Sequence, residues 1–282
     1  MTRKIIGLVV KLNSLLAEET SKRVITALKH YKVDILVEKK SKSSYKFLSR
    51  YRAFKLEEDP PPWIIVVGGD GTLLRTFQKL CRDDVTVMGI RAGRRGFLLD
   101  VEPYEIEDRI KDFIEGKYRI YRYTRLDVRV GRRKLPCTLN DAVVVGKMAK
   151  VIRLNVFRDG ERIYSIDGDG LIVSTTVGST AYNLSAGGPI VDPGLDAVSL
   201  APMNPVQIQL KPVVLPATSR IRIELRPASN EAWLILDGQH VEDVYEGDII
   251  DIEKSKTPAV MARFKWWENY YERVFTRILS YW

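Results

Sequence analysis

The sequence is poor in cysteine and histidine. Among 282 residues there are two cysteines, Cys81 and Cys137, and two histidines, His30 and His240. The wide spacing of the cysteines is neither that of a disulfide framework nor that of a metal-ligand cluster, and two histidines exclude a multi-histidine metal site. We therefore expect reduced thiols, a cytoplasmic protein and no resident metal site.

Long apolar runs are also missing. No stretch approaches the roughly 18 apolar residues of a membrane-spanning helix. Near the N-terminus, Arg3 and Lys4 precede an apolar run, but that run is short and Lys11 interrupts it. We interpret this run as a first β-strand rather than a signal peptide, and we predict no membrane association.

The formal charge of +9 is unevenly distributed. Up to Lys55 there are 14 Lys and Arg against 4 Asp and Glu, whereas the remainder has 31 against 32. Such a basic end can bind nucleic acid or attract phosphorylated small molecules, and it is as often a solvated lysine-rich surface. Because no zinc finger, aromatic RNA-binding motif or glycine-arginine repeat occurs, we predict no nucleic-acid partner.

The pattern of predicted secondary structure differs between the two parts of the chain. In the first hundred residues the apolar runs "IIGLVV", "VDILVE", "WIIVV" and "VTVMGI" alternate with helical patterns, which predicts a parallel sheet covered on both faces. After one further helix, short strands and hairpin turns predict an all-β region. We therefore predict an α/β domain over residues 1–100, a β-rich domain over 101–265, and a helix over 266–282 that docks back on the first domain.

The stretch "WIIVVGGDGTLL" sets one carboxylate among three glycines, between a strand and a helix. Ligands of open α/β sheets bind where a strand leads into a helix, and glycines let backbone N–H groups approach a phosphate. Gly68, Gly69 and Gly71 suit a phosphate cradle, and Asp70 suits holding a metal ion or accepting a proton from an attacking hydroxyl. The alternative is an Asp-Gly turn, which the helical right flank disfavours.

Three further patches have unusual composition for their positions. Residues 89–100, "GIRAGRRGFLLD", suit a polyanion or form a surface turn, and "LND" at 139–141 interrupts an apolar strand pattern. Residues 167–190, "DGDGLIVSTTVGSTAYNLSAGGPI", are rich in hydroxyls that suit a ribose, with Tyr182 available to stack on a base. The sequence has no Walker loop, no dinucleotide fingerprint and no G-x-S-x-G elbow.

These four patches occur in the order found in the NAD kinase family, and residues 64–239 resemble that family. The resemblance implies the NAD kinase/diacylglycerol kinase-like fold, with an active site between the two domains and across subunits of a homodimer or homotetramer. It also implies transfer of a phosphoryl group from ATP or polyphosphate to the 2′-hydroxyl of the adenosine ribose of NAD, giving NADP. Mg²⁺ or another divalent metal would accompany the phosphates.

The resemblance assigns Asp70 as the general base for the ribose 2′-hydroxyl. The other matched positions bind substrates. They are the glycine-loop positions Gly69, Gly71 and Thr72 near the donor phosphates, with Leu74 as an apolar wall and Arg75 beside it; Phe97 at the adenine end; Asn140 and Asp141 at the ribose and adenine edges; Asp169 facing the nicotinamide amide; and Thr180, Ala181, Tyr182 and Ser185 along the dinucleotide.

The chain departs from the family pattern at three places. Asp141 replaces a more usual Glu, "STTVG" replaces a Thr-Pro-Thr-Gly pattern, and Arg91 stands where many members have Asn. Two rival functions stay open: a lipid kinase with the same glycine loop, and a non-catalytic nucleotide or nucleic-acid binder. The phosphoryl donor, the preference between NAD and NADH, feedback by NADP, the metal and the oligomer size are not determined by the sequence.

Overall fold

The computed structural model describes residues 4–93, 96–264 and 270–279. The chain folds into two compact units, Met1–Arg122 together with Val260–Trp282, and Tyr123–Ala259. The first unit extends past the predicted boundary at residue 100. The helix Ile106–Glu115 packs on its core, and the strand Arg119–Tyr123 is the last strand of its sheet. Arg94 and Arg95 lie outside the described residues, as does part of the predicted C-terminal helix, whose described portion is Tyr270–Leu279.

Strands are numbered in chain order. They are β1 Ile5–Val10, β2 Asp34–Glu38, β3 Arg52–Phe54, β4 Trp63–Gly68, β5 Thr86–Arg91, β6 Arg119–Tyr123, β7 Leu126–Val130, β8 Arg133–Lys134, β9 Asp141–Gly146, β10 Ile152–Arg158, β11 Glu161–Gly168, β12 Gly170–Thr175, β13 Ala197–Met203, β14 Val213–Pro216, β15 Ile221–Leu225, β16 Ala232–Leu236, β17 His240–Val244, β18 Ile249–Lys254 and β19 Ala259–Arg263.

Helices follow the same numbering. The α-helices are α1 Leu15–His30, α2 Lys39–Ser44, α3 Asp70–Lys79, α4 Ile106–Glu115, α5 Tyr182–Ser185 and α6 Tyr270–Leu279, and short 3₁₀ segments are Lys46–Leu48, Pro103–Glu105, Lys147–Ala149 and Gly178–Thr180. No described helix is both long enough and apolar enough to span a membrane.

The first unit is built on a seven-stranded sheet in the order β3-β2-β1-β4-β5-β19-β6. The pairs β1–β2, β1–β4, β2–β3, β4–β5 and β5–β19 are parallel. The apolar runs of β1 and β4 are almost fully buried, and residues such as Leu8 and Ile65 share a core with α1 and α4. This arrangement sets the carboxyl ends of β1, β4 and β5 side by side at one edge of the sheet.

The second unit consists of two six-stranded sheets, β11-β10-β15-β18-β7-β8 and β14-β13-β12-β9-β16-β17, whose assigned pairs are antiparallel. Inward-facing residues of both sheets, including Leu154 and Leu171, form one apolar core. The alternation of buried and exposed positions along β15 and β16 follows from this packing on one face. The predicted fold class, an α/β domain followed by an all-β domain, is confirmed.

One compositional expectation is wrong. Cys81 and Cys137 are both disulfide-bonded, so neither is the reduced thiol that we expected. The oxidation state of a cysteine depends on its surroundings, which spacing along the sequence does not report.

Candidate active site

Asp70 is the first residue of α3 and follows β4 after the single residue Gly69. Gly71 therefore lies within the first turn of the helix. A carboxylate at this position is favoured by the partial positive charge of the helix N-terminus. The amides of Thr72 and Leu73 donate to the Gly69 carbonyl at 2.9 and 3.2 Å. Helix geometry leaves the amides of Asp70 and Gly71 without an intrahelical acceptor.

The Asp70 carboxylate is held by backbone amides of the next loop of the unit. Phe97 N–H donates to Oδ2 at 2.5 Å, and Leu98 N–H donates to Oδ1 at 2.9 Å. Asp70 remains partly exposed. Because a carboxylate offers about four acceptor positions, lone pairs of Asp70 remain for a substrate hydroxyl. The structure thus brings together Asp70 and the sequence-predicted Phe97.

Close packing requires a glycine at position 68. A Cβ at this position would lie 2.5 Å from Thr72 Oγ1 and 3.1 Å from the Lys11 Cβ. Thr72 itself is buried, with 8% of its surface exposed, so its side chain faces the protein. The strand-to-helix turn is therefore tight because Gly68 lets the first turn of α3 approach the end of the strand.

The remaining candidates of the first unit differ in how far they are available to a ligand. Leu74 is 7% exposed and belongs to the interior. Arg75 is partly exposed, and its buried Nη2 atom has no hydrogen-bond partner among the described residues. Arg91 forms an ion pair with Glu102, so its charge is already compensated within the unit. Phe97 packs edge-to-face against Tyr270 of α6, with ring centroids 6.0 Å apart.

In the second unit, Asn140 and Asp141 lie at the start of β9, where Asp237 holds the backbone. The Asp237 carboxylate accepts hydrogen bonds from the amides of Leu139, Asn140 and Asp141 at 2.8, 2.7 and 3.2 Å, and another from the Thr138 hydroxyl. Asp237 is 5% exposed. Four donors satisfy its buried carboxylate and fix the "LND" segment in place.

Asp141 is a buried acid with an altered titration. Its side chain receives no hydrogen bond from a described residue, and the residue is 5% exposed. Burial, and secondly the negative charge of Asp237, raise the pKa of Asp141 to about 7. At neutral pH this carboxyl group is close to half protonated, so it can either donate or accept a hydrogen bond.

A cavity of about 340 Å³ opens beside these acids. Its lining combines the acids with apolar side chains and the α5 segment, namely Asn140, Asp141, Val143, Ala181, Tyr182, Ile235, Asp237 and Gly238. The Asn140 Oδ1 atom is buried and has no hydrogen-bond partner among the described residues. Asn140 thus lines the cavity and carries a buried acceptor that no described residue satisfies.

Most hydroxyls of the predicted ribose-binding stretch are used inside the protein. Thr175 Oγ1 donates to Leu139 O at 2.6 Å, and Ser179 Oγ donates to Thr176 O at 2.7 Å. Gly178 packs so closely on Asn140 that a Cβ there would lie 2.2 Å from the Asn140 carbonyl oxygen. This stretch therefore packs against the backbone of the "LND" segment and hydrogen-bonds to it. The composition of the stretch did not indicate this structural role.

The four candidates from Thr180 to Ser185 do not lie equally close to the cavity. Ala181 and Tyr182 line it, and Tyr182 is 47% exposed. Thr180 precedes them in a 3₁₀ turn, and Ser185 is exposed at the end of α5. The buried Asn183 between them donates through Nδ2 to Ser179 O and Pro189 O, and so fixes this short segment.

Asp169 lies apart from the cavity. Strand register pairs Asp141 with Ser174 and Val145 with Gly170, so Asp169 is five residues from Ser174 along the β12 direction. At roughly 3.3 Å per residue this is about 16 Å. The Asp169 carboxylate instead accepts a hydrogen bond from Asn204 Nδ2 at 2.8 Å.

Sequence reasoning missed Asp237. Its sequence signal was an Asp-Gly pair between two strands, and the structure does place Asp237 and Gly238 in a hairpin turn with φ of +51° and +62°. The turn explains the residue types, but only the fold shows that the carboxylate points at the "LND" amides.

Comparison with known proteins identifies the family of the chain. Residues 6–118 match the ATP-NAD kinase N-terminal domain, and residues 139–264 match the ATP-NAD kinase C-terminal domain. An NAD kinase of Aeropyrum pernix is 46% identical over 278 residues, covering 98% of this chain and 99% of that protein. The chain belongs to the NAD kinase family. The resemblance stated from the four sequence patches is thereby confirmed.

Solved structures of NAD kinases show the same fold. An NAD kinase from Archaeoglobus fulgidus in complex with ATP is 30% identical, with a TM-score of 0.78 and coverage of 99% of both chains. A yeast NADH kinase complexed with NADH has a TM-score of 0.88 and covers 100% of this chain and 89% of its own, at 22% identity. The latter likeness concerns the fold alone.

Proposed function

We propose that this member of the NAD kinase family transfers a phosphoryl group from ATP, or from polyphosphate, to the 2′-hydroxyl of the adenosine ribose of NAD, giving NADP. The observation that carries the proposal is the Asp70 carboxylate, which two backbone amides orient at a helix N-terminus. The names of the relatives and the ATP of the Archaeoglobus fulgidus complex support the choice of acceptor and donor.

Asp70 is proposed to accept the proton of the attacking hydroxyl. Phosphoryl transfer requires little covalent chemistry from the protein, because positioning and neutralisation of phosphate charge supply most of the catalysis. The amides of Phe97 and Leu98 fix both carboxylate oxygens, which leaves a defined direction for the hydroxyl. The N-terminal amides of α3 then face the donor phosphates, with Gly69, Gly71, Thr72, Leu74 and Arg75 around them.

The cavity of the second unit is proposed to bind NAD. Its volume suits one nucleoside, and the free Asn140 Oδ1 atom can accept a hydrogen bond from an amino group or a hydroxyl. Asp141, whose side chain receives no hydrogen bond from the described residues, is proposed to accept from ribose in its ionised form. Tyr182 offers an exposed ring for stacking, and Thr180, Ala181 and Ser185 continue the same wall.

A divalent cation, Mg²⁺ in the simplest case, is proposed to arrive with the donor. No group of three or more metal-ligating side chains occurs among the described residues. Mg²⁺ commonly takes one or two carboxylates and completes its shell with substrate phosphates and water. Asp70 has unused acceptor positions and can supply one such carboxylate, while the ion would neutralise the charge on the phosphates.

The position of Asp169 bears on whether the NAD site includes residues of a neighbouring subunit. Since this residue lies about 16 Å along the strand from the position opposite Asp141, a nucleoside that contacts Asp141 does not also contact Asp169. We propose that Asp169 faces the nicotinamide end of a dinucleotide, in its own site or in that of a neighbouring subunit of a homodimer or homotetramer. A cytoplasmic protein without nucleic-acid or membrane partners is part of the same proposal.

An end-point assay tests the proposal. Purified protein is incubated with NAD, Mg²⁺ and either ATP or polyphosphate, and NADP is measured with a dehydrogenase that accepts only NADP. We expect NADP to form with at least one donor. If none forms while the protein still binds NAD, the kinase proposal fails. Phosphorylation of diacylglycerol in a parallel incubation without NAD would favour the lipid kinase instead.

A further inference from the structure

A buried ion pair lies behind the loop that holds Asp70. Arg263 Nη1 lies 3.1 Å from Asp100 Oδ1, and only 1% and 2% of the two side chains are exposed. The second oxygen of Asp100 accepts from the Phe264 amide at 3.3 Å. Arg263 is the last residue of β19, so the strand that returns to the first unit delivers this guanidinium.

The same guanidinium reaches the Asp70 loop directly. Arg263 Nη1 donates to the Leu98 carbonyl at 2.5 Å, and the Leu98 amide donates to Asp70 Oδ1 at 2.9 Å. Leu98 is therefore fixed at its carbonyl by Arg263 and in turn fixes the carboxylate through its amide. The loop is also close to Asp70 at Gly96, where a Cβ would lie 3.4 Å from Asp70 Oδ1.

Stability alone does not account for this pair. Transferring two charges from water to the interior is costly, and apolar residues of similar volume commonly serve stability as well or better. A guanidinium does something that an apolar side chain does not, because its Nη1 group donates to the Asp100 carboxylate and to the Leu98 carbonyl at once. A polar arrangement of this kind fixes one conformation of the loop that it binds.

We infer that Arg263 and Asp100 are positioning residues, which hold the Leu98 and Phe97 amides on Asp70 and so orient the base toward the acceptor hydroxyl. The inference rests on the proposed role of Asp70. It concerns the orientation of the carboxylate, so substrate affinity should not depend on the pair. A displacement of about 1 Å in a reacting group can cost about 10²-fold in rate.

Arg263→Lys is the informative variant, because the lysine ammonium ends one bond short of the Nη1 position. It can still pair with Asp100 but is not placed to bind Asp100 and the Leu98 carbonyl together. We expect kcat to fall about 10- to 100-fold, with unchanged KM values for NAD and donor and a near-normal Tm. Hydrogen exchange of the Phe97 and Leu98 amides should become faster. Leu28→Ala, which removes a buried side chain of the same unit far from this loop in sequence, is the control that should lower Tm and leave kcat unchanged.

Two results would overturn the inference. One is a wild-type kcat in Arg263→Lys; the other is a loss of kcat that follows Tm equally in both variants, which indicates a structural role alone. If the wild-type protein forms no NADP, the proposed function fails instead, and amide exchange in Arg263→Lys still decides whether the pair holds the loop. Unchanged exchange at Phe97 and Leu98 would reject the positioning role independently of activity.

Discussion

Asp70 in the first unit and Asp237 in the second each accept hydrogen bonds from consecutive backbone amides, but the two carboxylates differ in what remains unused. Asp70 accepts two amides and is partly exposed. Asp237 accepts three amides and a hydroxyl, and it is 5% exposed. The Asp70 carboxylate is oriented yet accessible, whereas the Asp237 carboxylate uses its acceptor positions to hold the backbone of the "LND" segment.

Asp141 falls between these extremes. It is as buried as Asp237, but no described residue donates a hydrogen bond to its side chain, and its pKa is raised to about 7 by burial and by the charge of Asp237. Three carboxylates in one chain thus have three environments. Local hydrogen bonding, more than residue type, therefore decides whether an acid performs chemistry, holds backbone or contacts a ligand.

Asp70→Asn has the largest expected effect and tests whether the accessible carboxylate is the catalytic base. An amide cannot accept the proton of the hydroxyl, so kcat for NADP formation should fall about 10²–10⁴-fold, while NAD binding measured by calorimetry is retained. Asp84→Asn is the control, since it removes an exposed carboxylate of the same unit that pairs with Arg82. Near-normal turnover of Asp70→Asn would remove Asp70 as the base.

Asp141→Asn tests the buried acid through its pH dependence. Because the folded protein holds a proton that the unfolded chain releases above its ordinary pKa of 3.8, stability contributed by Asp141 is lost as pH rises through about 7. The variant should therefore be more stable than wild type by about 2–4 kcal/mol at pH 8, and equal to it at pH 4. Urea unfolding at both pH values measures the difference.

Asp84→Asn is the control of opposite sign. The hydrogen bond from Arg82 lowers the pKa of Asp84, so this exposed carboxyl stabilises the fold at high pH, and its replacement should be slightly unfavourable at pH 8. A pH-independent difference between wild type and Asp141→Asn would contradict the altered titration of Asp141.

In the functional assay, KM for NAD should rise below pH 7 in wild type, where Asp141 becomes protonated.

Asp237→Asn tests the structural carboxylate in the same way that Asp70→Asn tests the accessible one. Asparagine is a suitable replacement because it tolerates the positive φ of this turn. Its NH₂ group would face amide donors that need an acceptor, so the free energy of unfolding should fall by about 1–3 kcal/mol. The "LND" segment would shift, raising KM for NAD about 10-fold with little change in kcat, the reverse of Asp70→Asn. A loss of kcat at normal KM would place Asp237 in the chemistry.

The sequence was informative where function depends on local pattern. Apolar runs of strand length predicted the parallel sheet, and three glycines around one acid predicted the strand-to-helix turn at Asp70. The sequence pattern did not show that α3 begins at Asp70, because Asp70 and Gly71 are poor interior helix formers, whereas the first turn of a helix tolerates both.

Long-range contacts were beyond prediction from the sequence. Arg263 bonds to a carbonyl 165 residues earlier, and Asp237 bonds to an amide 97 residues earlier. No spacing rule relates such positions, and the raised pKa of Asp141 results from burial and from the negative charge of Asp237. The unit boundary was likewise set too early, since the strand pairing of β6 is decided by the fold.

Asn140→Ala has the smallest expected effect and separates a ligand contact from a structural one. The Asn140 Oδ1 atom is buried without a partner among the described residues, so its removal breaks no described internal hydrogen bond of that atom. We expect KM for NAD to rise about 2- to 10-fold, the value of one hydrogen bond, with Tm unchanged.

The matched variant Asn183→Ala removes an asparagine whose side chain bonds to Ser179, Pro189 and Ser199. Because buried partners are left unpaired there, Tm should fall clearly, and any change in KM should follow the loss of structure. If Asn140→Ala also lowers Tm while KM stays normal, Asn140 belongs to the framework with Asp237, and the cavity would bind the nucleoside through Asp141 and Tyr182 alone.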